Sequence, residues 1–171
     1  MLSQFGLQYS EDDSLDENDK VPMPETEDHT TARLNQLYLE IEGLYHDYAK
    51  RHGLSDSMLW LLYSLQLHRE QPTQRRLCDE WHTSPQTMNY ALKILEGKGY
   101  VSLEPLPGGR HDKAIVITRQ GQALIDDVIE PLMRGERHAF HSLNETEQGR
   151  LLSLTGKLVS ALRDALGPGD F

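Results

Sequence analysis

The stretch Ser84-Pro85-Gln86-Thr87-Met88-Asn89-Tyr90-Ala91-Leu92-Lys93 carries two primary amides, two hydroxyl-bearing residues at its start and an ammonium near its end. Gln86 and Asn89 each offer a donor and an acceptor side by side, the pairing that meets an adenine edge through two hydrogen bonds. Thr87 and Lys93 suit base edges or phosphate, and Tyr90 adds an aromatic face with a hydroxyl tip. Arg75 and Arg76 lie just upstream. Arg110, His111 and Lys113 follow in a glycine- and proline-rich run. The chemistry on offer is hydrogen bonding and charge pairing, not bond making.

Such side chains need a helix to present them. Ser84 is a natural N-cap and Pro85 suits the first helical position, so a helix starts there. Met88, Ala91, Leu92 and Leu95 recur at helical spacing as its buried stripe, which leaves Pro85, Gln86, Thr87, Asn89, Tyr90 and Lys93 outward. A shorter helix over about 74–81 precedes it, capped by Thr73, with Leu77, Cys78 and Trp81 facing inward. The pattern then changes period. Tyr100–Leu103 and Ala114–Ile117 read as two short strands around a hairpin loop. Helix, tight turn, second helix and hairpin make the winged helix-turn-helix plan.

Helices flank this region on both sides. Leu34, Leu37, Tyr38, Ile41, Leu44, Tyr45 and Tyr48 form one apolar face of a helix over about 31–51, ended by Gly53. Ser55 caps the next helix, whose run Met58–Tyr63 is apolar on nearly every side and belongs in the core. Thr118 caps a long helix to about 141, with Pro131 expected to kink it. Asn144 and Glu147 resemble a capping box opening a last helix to about 166. Leu151, Leu154, Leu158, Leu162 and Ala165 share one stripe there, widened by Leu152, Val159 and Leu166. The expected fold is mainly α with a small β-hairpin wing, a winged helix-turn-helix with helices on either side. Residues 1–28 read as an acidic, disordered tail, 29–54 as an N-terminal helix, 55–118 as the winged helix-turn-helix region, 119–166 as C-terminal helices, and 167–171 as a short tail.

A formal charge of −10 over 171 residues sits awkwardly with phosphate contact. Its distribution resolves much of the conflict. Residues 11–28 hold nine acids against Lys20 alone, a local −8 that leaves only −2 for the rest. Between residues 71 and 119 seven bases outnumber five acids. Lone Cys78 excludes a disulfide within the chain and suits a reducing compartment. With no signal-peptide pattern and no apolar run near the ~20 residues of a membrane span, a cytoplasmic location is expected.

The run from Leu77 to Gly99, with Ser84, Thr87, Met88, Leu95 and Lys98-Gly99-Tyr100-Val101, resembles the helix-turn-helix of the MarR family. Ala114–Leu124 is similar to that family's second wing strand and the helix start behind it. The resemblance covers about residues 31–166. It implies a homodimer whose first, fifth and sixth helices interlock, which makes 29–54 the N-terminal dimerisation helix, 119–166 the C-terminal dimerisation helices and 55–118 the DNA-binding region, with recognition helices meeting half-sites ~34 Å apart on a pseudo-palindromic operator. It also implies wings touching the minor groove, repression as the usual mode, and release of DNA by a small molecule. The family's wing usually carries an aspartate two positions before its arginine. Here Arg110 lacks it, so Arg110 is the leading minor-groove candidate with His111 and Lys113 as competitors. On this resemblance the DNA-binding set is Ser84, Pro85, Gln86, Thr87, Asn89, Tyr90, Lys93, Arg75, Arg76, Arg110, His111 and Lys113.

Other features have plainer readings beside sharper ones. Tyr38, Tyr45, Tyr48, Trp60 and Tyr63 either line a pocket for an aromatic effector or pack as core. Cys78, on a buried stripe, is expected to be inert rather than a redox switch. His138 and His141, near His46 or His52, make a weak metal constellation, and neither a metal nor a cofactor is expected. Gly156-Lys157 lacks the upstream glycine of a phosphate loop, and no catalytic motif is present, so no enzyme is expected. The alternative to a DNA regulator is a dimeric adaptor that uses a winged helix without binding DNA. The acidic balance and Tyr90, where the family often has arginine, motivate it.

Overall fold

The computed structural model describes residues 27–68, 72–81, 83–105 and 113–167. The chain falls into two units, Met1–Tyr45 and His46–Phe171. Helix α1, Glu27–Arg51, belongs to both. In the first unit its apolar residues are bare, with Leu44 71% exposed and Leu37, Tyr38, Leu39 and Ile41 also open. Arg33 bridges Gln36 and Glu40 along the helix, each at 3.4 Å. The helix starts four residues before the expected position. Acidic residues suit a helix's first turn, so the charge run and the helix start overlap in sequence.

The second unit opens with the end of α1, closed by a left-handed glycine. Gly53 has φ 69°, donates to the Lys50 carbonyl at 3.1 Å, and lets Leu54 donate to that of Ala49 at 3.0 Å. This pair satisfies carbonyls a bare helix end would leave orphaned. Helix α2, Asp56–Leu67, is capped by the Ser55 hydroxyl and buries Met58, Leu59, Leu61, Leu62 and Leu65. It is the central post of the core, packing on α4 and on the stretch Ile125–Ile129.

Helices α3, Gln74–Trp81, and α4, Pro85–Gly97, form the helix-turn-helix. A second left-handed glycine, Gly99 at φ 73°, ends α4 and turns the chain into β1, Val101–Pro105. Strand β1 pairs antiparallel with β2, Lys113–Ile117, in register Val101 with Ile117 and Pro105 with Lys113. An isolated bridge from Thr73 to Ala114, with Ile115 donating to the Pro72 carbonyl at 3.0 Å, ties the start of α3 to β2.

Thr118 knots the hairpin to the next helix. Its hydroxyl accepts from the Gly121 amide at 3.0 Å and donates to the Gly99 carbonyl at 2.6 Å. The expected single helix to about 141 is three segments. Helix α5, Arg119–Leu124, passes through a π-helical stretch, Ile125–Ile129, into α6, Glu130–Phe140. Pro131 explains the break. It lacks an amide hydrogen and its ring clashes with the carbonyl four residues back, and a wider turn just before it relieves both. Glu130 accordingly donates to the carbonyl of Ile125, five residues earlier. Tyr48 donates to the Val128 carbonyl at 2.7 Å, fastening this stretch to the end of α1 within the unit. Tyr63 on α2 reaches Glu136 at 2.8 Å, and Gln66 reaches Glu130.

Helix α7, Glu145–Ala165, opens with the expected capping box of Asn144 and Glu147. It buries no residue. Leu151, Leu152, Leu154, Val159, Leu162 and Leu166 stand exposed, Leu152 by 64%. Among the described residues no helix is long and apolar enough to cross a membrane.

Candidate nucleic-acid interface

The presentation of α4 follows from its anchoring. Ser84 caps it, the hydroxyl accepting from the Thr87 amide at 3.1 Å and sharing a 2.9 Å bond with the Thr87 hydroxyl. Met88, Ala91, Leu92 and Leu95 are buried, Ala91 and Leu95 completely. The opposite face is open: Pro85, Gln86, Thr87, Asn89, Tyr90 and Lys93 are all exposed. Tyr90 stands 66% exposed, a large aromatic ring held out beside the amides of Gln86 and Asn89. Ser84 and Thr87 spend hydroxyl capacity on each other, so they set the helix start before they can meet a ligand.

Helix α3 is locked against this start. Gln74 donates to the Pro85 carbonyl at 3.1 Å, a bridge that sequence periodicity does not reveal because it joins two helices. A cleft of 370 Å³ runs between α3, the first turn of α4 and the hairpin, with Arg75, Asp79, Pro85 and Lys113 among its walls and Cys78, Leu92 and Leu103 beside them. The structure thus brings Arg75, the α4 start and Lys113 to one cleft. Arg76 is engaged differently. Its guanidinium donates to His68 Nδ1 at 3.3 Å, so the other imidazole nitrogen carries the proton and donates to Glu80 at 2.6 Å. Arg76 and Glu80, one turn apart on α3, clasp the end of α2 from two sides. Arg110 and His111 lie outside the described residues.

The five aromatic candidates for an effector pocket do not act alike. Tyr38 and Tyr45 fall in the first unit, where Tyr38 is exposed and Tyr45 half-buried. Tyr48 and Tyr63 spend their hydroxyls on Val128 and Glu136. Burial, then the bond to Glu136 and its charge, push the Tyr63 phenol up to about 12. Trp60 alone of the five walls a cavity of 190 Å³, shared with Ser57, Leu61, Trp81, Thr83 and Met88. Trp81, expected to face inward, is half-buried and stacks on Trp60 with ring centroids 5.2 Å apart.

Cys78 is buried, and its thiol is pushed up by burial first and by the Asp79 carboxylate second. His46 pairs with Asp56 and His52 with the Tyr48 carbonyl. Among the described residues no three His, Cys, Asp or Glu side chains converge to hold a metal.

Residues 52–110 match the model of the MarR family. No curated protein matches the sequence. Among solved structures, the S. aureus MepR–DNA complex superposes with a TM-score of 0.69 at 18% identity, covering 80% of this chain and 99% of that one. The MarR family regulator NMB1585 from Neisseria meningitidis gives 0.68 at 18% identity, over 79% and 94% of the two chains. The transcriptional regulator PA3341 gives 0.66 at 24% identity, over 78% and 98%. The match to the MarR family model thus spans α2, the helix-turn-helix and β1, and the winged-helix fold is shared with solved MarR regulators.

Proposed function

We propose that this protein is a sequence-specific DNA-binding transcription regulator. The observation that carries the reading is the exposed face of α4, where Gln86, Asn89, Tyr90 and Lys93 stand opposite a fully anchored apolar stripe. A helix fixed on one face and bearing amides on the other is what base-edge readout in a major groove requires. Arg75 and Lys113 at the neighbouring cleft supply phosphate contacts. The solved relative MepR is captured with DNA, which supports the same use of the fold here.

The working form is a homodimer on a pseudo-palindromic site. The bare leucines of α7, and separately those of α1, support it, since burying each such side chain contributes about 1.5–3 kcal/mol. Repression is the mode in this reading, with release by a small molecule. Arg110 serves the minor groove, with His111 and Lys113 beside it.

The test is fluorescence anisotropy against duplexes tiled across the gene's own upstream region, with scrambled DNA as control, at two salt concentrations. A selective complex of one dimer per site, weakened steeply by salt as counterions return to the phosphates, is expected. Absence of selective binding at low salt, both upstream and in a genome-wide selection of bound fragments, would favour a dimeric adaptor instead.

A further inference from the structure

We propose that α4 reads A·T pairs: the core of each half-site holds two neighbouring adenines, met by Gln86 and Asn89, with the methyl group of a paired thymine against the Tyr90 ring. The inference rests on the DNA-binding reading above and specifies the ligand of that same face.

Elimination removes the other bases. In the major groove guanine is met by arginine or lysine and cytosine by a carboxylate, whereas adenine takes asparagine or glutamine through both amide atoms. Residues 85–95 of α4 contain no Arg, Asp or Glu, and Lys93 is their only cation. The hydroxyls of Ser84 and Thr87 bond each other at 2.9 Å, and that of Ser84 also accepts from the Thr87 amide. Gln86 and Asn89, both exposed, are the polar side chains left on the N-terminal half of the helix.

Spacing along the helix sets the register. An α-helix rises about 1.5 Å per residue, which separates Gln86 from Asn89 by ~4.5 Å along the axis. Adjacent base pairs are ~3.4 Å apart, so the two amides face neighbouring pairs. Lys93 lies ~6 Å beyond Asn89, about two base steps farther on, and a guanine met by it falls outside the core. Tyr90, next to Asn89, is 66% exposed, a large ring that the protein itself leaves in water. The C5-methyl of thymine is the apolar group that the major groove displays, and packing it on the ring removes both from solvent.

The test must separate groove readout from DNA shape, because A·T tracts are also recognised by their narrow minor groove. Sites are selected by the full chain from a random duplex library. The selected site is then rebuilt with base analogues that alter only the major-groove edge, and titrated by anisotropy. 7-Deazaadenine, which puts C–H in place of the N7 acceptor, is expected to weaken binding about tenfold at each core adenine. N6-methyladenine, whose methyl group takes the place of the accepting amide oxygen, weakens it at least as much. Uracil in place of the core thymines lowers affinity about fourfold, the effect of exposing one methyl group. Y90F keeps the preference for thymine over uracil and Y90A loses it. Both changes fall at an exposed position, so the fold is preserved. Selection of G·C pairs at the core overturns the proposal and leaves the regulator reading standing, as does an A·T core indifferent to 7-deazaadenine or to uracil. Failure to select any sequence overturns both.

Discussion

A single methyl group at Gly121 is expected to loosen the joint between the hairpin and α5. A Cβ built there lies 1.9 Å from the Tyr100 carbonyl oxygen and 2.8 Å from its carbon. Ordinary carbon–oxygen contact needs more than 3 Å, so backbone must move by over 1 Å at a point where it cannot flex cheaply. Thr118 donates its amide to that same Tyr100 oxygen at 3.1 Å, while its hydroxyl receives the Gly121 amide at 3.0 Å. Overpacking of this severity reaches the upper range for core insertions, about 3 kcal/mol or more. Alanine in place of a helical glycine returns up to about 1 kcal/mol through backbone entropy. The net loss is then about 2 kcal/mol or more. For a chain of this size that lowers Tm by roughly 4–8 °C or more. Gly135 on α6 is the internal control, because a Cβ there meets nothing within 4 Å. G135A should raise Tm by about 2–4 °C from the same entropy term. Differential scanning calorimetry of the two variants settles the matter. If G121A melts at or above the parent protein, the close approach of α5 to the Tyr100 carbonyl is not as described.

Replacing Asn89 by alanine should cost about 1–3 kcal/mol on the selected DNA site and relax the preference at one base pair, as measured by anisotropy over a substituted-site panel; an unchanged preference removes Asn89 from base readout. R110A should weaken binding to every sequence and flatten the salt slope, and identical slopes would take Arg110 out of the phosphate and groove contacts. Cys78 should alkylate much more slowly than free cysteine at mildly alkaline pH, because its raised thiol keeps little thiolate there. The same raised value means its share of stability holds below the free-thiol range and is lost as pH rises through the folded value. Alkylation at the free-cysteine rate in folded protein contradicts both statements. Exchanging Leu154 and Leu162 together for glutamate should turn a dimer into a folded monomer by sedimentation, and a persistent dimer would move the interface off α7.

Four of the helix starts were readable in the sequence. Ser55, Ser84, Thr118 and Asn144 each act as caps where residue type and the following apolar pattern placed them. A cap is local chemistry, and local chemistry is written in neighbouring residues. The buried stripe of α4 was legible for the same reason, and with it the outward set from Pro85 to Lys93. Pro131 announced a disturbance but not its form. Whether a helix bends or widens ahead of proline depends on what its loosened carbonyls can reach, and here Tyr48 arrives from far away in sequence. The His68 clasp on Arg76 and Glu80 was equally hidden. Arg76 read as a free cation for phosphate, and only the fold shows its guanidinium turned to an imidazole. Among the aromatics, helical spacing grouped Trp60 with Tyr63, and the fold sets those two rings 5.5 Å apart. The spacing gave no hint that Trp81 would stack on Trp60 across two helices.

The bridge between Thr73 and Ala114 makes the hairpin something other than a free flap. With the Pro72 carbonyl accepting from Ile115, the base of the hairpin is riveted to the first residues of the helix-turn-helix. Force applied at the loop is therefore transmitted as leverage on α3 instead of being absorbed in the strands.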